Sequence, residues 1–325
     1  MPLLQVDDLS VRFDTDDGPV HAVDRLSFTL DESEVLGVVG ESGCGKSVSL
    51  MALTQLLPDT AKIGGSARIG DLDLLSASSS RVRKIRGRTI AYVFQEPMTS
   101  LNPSLRIGRQ IEEVLQRHLD LSRRAARSRA VELLELVRIP APQTRVGEYP
   151  HQLSGGMRQR MMIAIALACD PKILVADEPT TALDVTIQAG ILDLMRDIRA
   201  RLGTAIVLIT HNLGVVADIA DRVLVMYAGR KVEEAPVHDL FAAPQHPYTI
   251  GLLGAVPRPG SASTAGRLQE IPGRVPSLRE LPQACVFADR CPRADDLTRS
   301  EQPLLREVRP GHLVACFHPG GAWSS

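Results

Sequence analysis

The segment Val35-Leu-Gly-Val-Val-Gly-Glu-Ser-Gly-Cys-Gly-Lys-Ser47 begins as an apolar run of strand character. It turns through glycines at 40, 43 and 45 and enters a helix-forming stretch from Ser47 to Leu57. Gly40, Gly45, Lys46 and Ser47 satisfy every fixed position of G-x-x-x-x-G-K-[ST]. Each residue type has a physical task. Glycines let successive backbone N–H groups converge on phosphate oxygens with no Cβ in the way. The helix that follows points the positive end of its dipole at the same anion. Lys46 is then expected to reach the β- and γ-phosphates, and the Ser47 hydroxyl to ligate Mg²⁺. The rival reading is a glycine-rich turn with a stray lysine, and it fits poorly with a strand before and a helix after. The segment predicts a nucleoside triphosphate site formed by Gly40, Glu41, Ser42, Gly43, Cys44, Gly45, Lys46, Ser47 and Val48.

Bulk properties bound the rest. A chain of 325 residues holds one large α/β domain and something smaller. Its 44% hydrophobic and 23% charged content are those of an ordinary globular protein. A net charge of −1 argues against a dedicated nucleic-acid binder. The longest apolar run, Met161 to Cys169, is half a membrane crossing, and the N-terminus carries no signal-peptide pattern. Five cysteines do not form a disulfide framework, so a cytoplasmic protein is expected.

Outward from the phosphate loop, residues 3–13 and 21–30 read as two edge strands, with Asp16-Asp17-Gly18 as the turn. Phe13 either packs this small sheet or stacks on a base. Residues 63–75 read as another short strand pair turning at Gly70-Asp71, and Arg81 to Arg88 as a solvated helix surface. Thr89 to Phe94 is a buried-type strand ending in Gln95, a candidate for a metal or water contact at the ligand-facing edge of an α/β sheet. From Ser104 to Val137 the spacing turns helical, with Ile107, Ile111, Val114 and Leu115 on one face and Val131, Leu134, Leu136 and Val137 following. Arg123, Arg124, Arg127 and Arg129 cluster on this lobe, as a solvated face first and a partner surface second.

A further apolar strand, Lys172 to Asp177, delivers a carboxylate with Glu178 directly after it. Asp177 suits Mg²⁺ coordination, and Glu178 suits polarising a water against the γ-phosphate. Thr204 to His211 is a further buried strand ending in a histidine placed to contact phosphate or water. Leu153-Ser-Gly-Gly-Met-Arg-Gln-Arg160 then starts a helix at Ser154, Gly155 and Gly156, a second anion-receptive N-terminus. One phosphate loop already serves one nucleotide. The second helix start therefore points to a nucleotide shared between two chains.

Taken in order, these motifs resemble the ATP-binding subunit of an ABC transporter. They are the phosphate loop, the glutamine loop at Gln95, the signature Leu153 to Gln159, the strand 173–178, the D-loop Ala182-Leu183-Asp184 and the switch histidine His211. The resemblance implies a RecA-like α/β P-loop ATPase core with an antiparallel β-subdomain, an inserted helical subdomain at about 98–160 and an irregular C-terminal extension. It places the adenine-stacking aromatic on or near Phe13. It implies ATP and Mg²⁺ at the site, with Glu178, His211 and Gln95 catalytic, Ser47, Gln95 and Asp177 holding the metal, and Ser154, Gly155, Gly156 and Asp184 contributing to nucleotide binding.

Beyond a nucleotide-binding domain of 1–256, the tail 257–325 is punctuated by proline and glycine and poor in apolar residues, so it is expected to drape on the main domain. Segments 246–253, 271–278 and 285–292 resemble the C-terminal region of dipeptide and oligopeptide importer ATPases, D-type subunit. That resemblance implies peptide import at the cytoplasmic face of the membrane. The implied partners are a second, related ATPase, two membrane permeases and an extracytoplasmic binding protein, with no nucleic acid. Nickel or another small solute is the alternative cargo, and a soluble ABC ATPase the alternative class. Members of this branch often carry four tail cysteines, consistent with a [4Fe-4S] cluster. Here Cys285, Cys291 and Cys316 stand, but the position seven after Cys291 is Thr298.

Overall fold

The computed structural model describes residues 1–95, 100–181, 184–255 and 271–321. The strands are β1 (Leu4–Thr15), β2 (Gly18–Leu30), β3 (Val35–Val39), β4 (Ala61–Ile69), β5 (Leu72–Asp73), β6 (Ile90–Val93), β7 (Ile173–Asp177), β8 (Ala205–Ile209), β9 (Arg222–Tyr227), β10 (Arg230–Pro236), β11 (Arg306–Arg309) and β12 (His312–Val314). The chain divides into two compact units. One comprises residues 1–2, 30–34 and 77–209, and the other 3–29, 35–76 and 210–325.

In the first unit β6, β7 and β8 run parallel, with Val93 opposite Ala176 and Asp177 opposite Ile209. All but Tyr92 and Asp177 of their residues are buried, the continuous apolar pattern of strands covered on both faces. The expected helical lobe is present as Ile107–Leu119 and Arg123–Leu136. Ser122 caps the second of these, its hydroxyl accepting the Ala125 N–H at 3.3 Å. Ile107, Ile111 and Leu115 are buried as the spacing requires. On the second helix the buried face is Ala126, Ala130, Leu133, Leu134 and Val137, while Val131 and Leu136 are only partly covered. Small alanines let the two helices approach, and a reading that weighted only large side chains passed over them.

The second unit holds two sheets. The antiparallel subdomain has the order β2-β1-β4-β5, and the strand pair anticipated at 63–75 is β4 and β5. The other sheet places β3 parallel to β9, with β10 antiparallel to β9 and the hairpin β11–β12 added along β10. The tail is thus partly regular, since its hairpin extends a sheet. It is pinned by a buried carboxylate, Glu233 on β10, which accepts the N–H groups of Gln245 (2.7 Å) and His246 (2.9 Å) and meets His312 Nε2 at 2.7 Å. A fully buried carboxylate survives only when its oxygens are paired in this way.

Candidate nucleotide site

All five residues of β3 are buried, and the chain leaves the strand through Gly40 at φ +152°. A Cβ on Gly40 would lie 2.2 Å from the Met226 carbonyl oxygen, and one on Gly45 (φ +95°) 2.2 Å from that of Ala22. Only glycine fits at either place. Gly45 precedes the helix Lys46–Leu53, and its carbonyl accepts the Ser49 N–H at 2.9 Å. The helix is shorter than the expected 47–57 because Gln55 adopts φ +52°. Lys46 is 6% exposed, and its ammonium is held by the loop itself, donating to the Gly40 carbonyl (2.8 Å) and the Glu41 carbonyl (2.9 Å). Ser47 and Val48 are half-buried in the first turn, and Ser42 and Gly43 are exposed. Cys44 is buried beneath the loop, and desolvation pushes its thiol up despite the nearby lysine. In the same unit Phe13 is half-buried on β1 opposite Ala61, and His211 is exposed one residue before Asn212. Asn212 caps the helix Leu213–Ile219 by accepting the Gly214 N–H at 3.0 Å.

The first unit carries the carboxylates. β6 and β7 are in register, so Gln95 and Glu178, which follow them, come together. Gln95 Nε2 donates to Glu178 Oε2 at 2.9 Å. The Thr181 hydroxyl donates to the same oxygen at 2.9 Å, and the Glu178 N–H donates to the Ile209 carbonyl at 2.9 Å. Glu178 has φ +46°, a left-handed conformation that costs a non-glycine residue free energy and gathers at functional sites. Because the Gln95 amide donates through nitrogen, its oxygen remains an acceptor. Asp177, at the end of β7, is half-buried. Hydroxyl, amide and carboxylate oxygens are the donor set that a hard cation such as Mg²⁺ takes.

Ser154 caps the helix Gly155–Ala166, accepting the Met157 N–H at 3.4 Å. Ser154 and Gly155 are exposed, and a Cβ on Gly155 would meet nothing within 4 Å. Gly156 faces the other way and is buried. Its added Cβ would come within 2.7 Å of Ile187. Asp184 caps the helix Val185–Leu202 by accepting the Ile187 N–H at 2.9 Å. Ala182 and Leu183 of the expected D-loop lie outside the described residues.

Cys285, Cys291 and Cys316, with Thr298 at the fourth position, are one thiolate short of the four that an iron–sulfur cluster takes. Among the described residues no three His, Cys, Asp or Glu side chains stand where they would hold a metal. Burial pushes all three thiols up, that of Cys316 to about 11. Thr298, where the fourth cysteine was anticipated, is committed elsewhere. Its N–H donates to Asp295 Oδ1 at 2.9 Å, its hydroxyl engages the Asp295 backbone, and its carbonyl accepts the Cys285 N–H at 3.1 Å. His318 has Nε2 on Asp295 Oδ2 at 2.8 Å. This part of the tail is held by hydrogen bonds around Asp295.

Sequence reasoning passed over one contact altogether. Arg290, next to Cys291, reaches Glu41 in the phosphate loop through two bonds of 2.7 and 3.0 Å. The tail, expected from the sequence only to drape on the main domain, thus reaches the phosphate loop itself.

Comparison with known proteins agrees with these features. Residues 23–181 match the family model for ABC transporters, and residues 232–297 that for the oligopeptide/dipeptide transporter C-terminal region. A probable peptide ABC transporter ATP-binding protein of Sinorhizobium fredii is 53% identical, with 97% of this chain and 94% of the relative covered. The oligopeptide transport ATP-binding protein OppD of Salmonella typhimurium is 49% identical, covering 98% and 94%. Among solved structures, the dimeric ATP-binding cassette MJ0796, in a post-hydrolysis state bound to ADP and Pi, aligns with a TM-score of 0.65 at 27% identity. That alignment covers 72% of this chain and 98% of the cassette.

A phosphate loop, paired glutamine and glutamate, and a capped signature helix on this α/β frame define an ATP-hydrolysing subunit of the ABC class. The chain belongs to the ABC transporter ATP-binding subunits, and within them to the oligopeptide/dipeptide branch.

Proposed function

We propose that this chain hydrolyses ATP to drive import of short peptides across the cytoplasmic membrane, bound peripherally to two permease subunits that receive cargo from an extracytoplasmic binding protein. The observation that carries the reading is the union of a Gln95–Glu178 pair with a C-terminal region of the oligopeptide/dipeptide type. Lys46 and the loop N–H groups hold the phosphates, and Phe13 stacks on the base. Ser47, Gln95 and Asp177 would supply oxygen ligands to Mg²⁺, which would offset the charge of the β- and γ-phosphates. Glu178, steadied by Gln95 and Thr181, accepts the proton of the attacking water, and His211 steadies the γ-phosphate. Ser154 and Gly155 offer an exposed helix N-terminus, with Gly156 packed behind them, to the nucleotide of a second ATPase subunit, and Asp184 fixes the helix beside it. That second subunit is a related, different chain.

Uptake of a radiolabelled tripeptide into vesicles carrying the full transporter tests the proposal. Accumulation should require ATP on the side of this subunit and cease with Lys46→Ala. Uptake of nickel and not of any peptide would reject the cargo.

A further inference from the structure

Glu41 is held by three separate handles, all within the second unit. Its N–H donates to the Tyr248 hydroxyl at 2.8 Å, and its carbonyl accepts Lys46 Nζ at 2.9 Å. Its carboxylate takes Arg290 Nη1 and Nη2 at 2.7 and 3.0 Å. The arginine is built in. Its side chain is 5% exposed, and its remaining bonds go to the Pro272 carbonyl (2.8 Å), the Ile271 carbonyl (3.1 Å) and the Tyr227 hydroxyl (3.3 Å). All the donor capacity of a guanidinium is thereby used. Around it Tyr227, Tyr248 and Phe287 form one aromatic cluster, with ring centroids 4.6, 5.1 and 5.5 Å apart.

A carboxylate is an odd choice in a loop that cradles phosphates, because its charge repels them. A bidentate arginine cancels that charge and fixes the side chain at once. The same glutamate carries the carbonyl that parks the lysine expected to reach the phosphates. We infer that Arg290 and Tyr248 are positioning residues for ATP: they neutralise and anchor Glu41, so that Arg290 of the C-terminal extension and Tyr248 of the helix before it set the nucleotide affinity of the phosphate loop. The inference rests on the reading that residues 40–47 hold ATP.

The test is calorimetric titration of the full chain with MgATP, together with KM and kcat of the assembled transporter. Arg290→Gln should weaken ATP binding by roughly tenfold and raise KM in step, with kcat changed less than about threefold, since a bare carboxylate then faces the phosphates. Adding Glu41→Gln to Arg290→Gln should restore most of the affinity by removing that charge. A role in folding alone would not give this rescue. Tyr248→Phe removes one hydroxyl and keeps the packing, and should also raise KM. It decides the question if Arg290→Gln does not fold. Unchanged ATP affinity in a folded Arg290→Gln protein, a loss that Glu41→Gln fails to relieve, or, where only Tyr248→Phe folds, an unchanged KM overturns the inference. Lys46→Ala serves as the reference. If it binds ATP like the wild type, the reading of the loop itself fails. If it loses ATP while Arg290→Gln does not, only the role of the extension fails.

Discussion

Glu178 combines a left-handed backbone with a carboxylate oxygen shared by Gln95 and Thr181, so its side chain is held in one direction before any substrate arrives. Such preorganisation favours a residue that positions and deprotonates water. Glu178→Gln keeps the shape and removes the proposed base. Hydrolysis should fall by about 10²-fold or more while ATP binding persists, and the assembled transporter should accumulate in an ATP-bound closed state. Near-normal phosphate release by that variant would remove Glu178 from the reaction. At the tail, Thr298 stands where a fourth thiolate was anticipated and its hydroxyl is committed to Asp295, so the segment falls short of the four cysteines that a [4Fe-4S] cluster takes. Protein purified without oxygen should be colourless near 400 nm, the region where iron–thiolate chromophores generally absorb, and a chelator should leave its melting temperature unchanged. Iron found in stoichiometric amount would overturn this. The sequence made Gln95, Glu178 and the glycines legible because each is tied to a strand end or a turn. It could not show that Arg290 serves Glu41, since the two stand 249 positions apart and only folding joins them.

The signature helix shows how an element divides two glycines between two tasks. Gly156 touches Ile187, so Gly156→Val overpacks that contact and should cost about 1–3 kcal/mol in urea unfolding. Gly155→Ala meets open space and gains helix propensity, so its stability should be unchanged or higher by up to ~1 kcal/mol. Equal losses in both variants would contradict the assignment. A second element-level feature is the join between β10 and the tail. His246 is buried, and desolvation holds its pKa down to about 4, outweighing the attraction of Glu233. Its Nδ1 accepts the Tyr248 N–H at 3.1 Å, which requires the neutral ring. Since the unfolded histidine titrates near 6.5, the unfolded chain binds more protons between that pH and about 4. The stabilisation is therefore complete above the unfolded value and is lost as pH falls towards the folded one. From pH 7 to 5 this group alone should remove about 2 kcal/mol, and His246→Asn, which keeps an acceptor, should flatten the decline. An identical pH profile in the variant would discount His246. Strands β3, β6, β7 and β8 were readable from unbroken apolar runs. The β11–β12 hairpin was not, because short strands rich in charge carry no such pattern and owe their place to the buried Glu233–His312 pair.

For the molecule as a whole, the decisive feature is that each kind of anion-receptive helix start occurs once in the sequence: one phosphate loop at 40–47 and one signature at 153–159. Ser154 and Gly155 are exposed, and no described residue covers the direction in which a Gly155 side chain would point. A helix N-terminus that carries unpaired N–H groups gains most from an anion, and one supplied by another subunit satisfies it without adding a second loop to the chain. The related cassette MJ0796, captured as a dimer with ADP and Pi, has the same frame. If each signature completes the site of a neighbour, hydrolysis is a property of two subunits. The purified chain at high dilution should then turn over ATP slowly, with a specific activity that rises with concentration. Adding the partner ATPase and the permeases should raise it further, by about tenfold or more, the scale on which oriented catalytic groups act. Ser154→Arg, which places bulk and a cation at the exposed cap, should leave ATP binding to the isolated chain intact, because it alters no group of the phosphate loop, and should abolish the gain on assembly. Phosphate release measured against protein concentration, alongside sedimentation to fix the oligomeric state, separates the possibilities. A strictly monomeric preparation with full activity at every concentration would show that one chain carries a complete site, and would remove the shared-site mechanism.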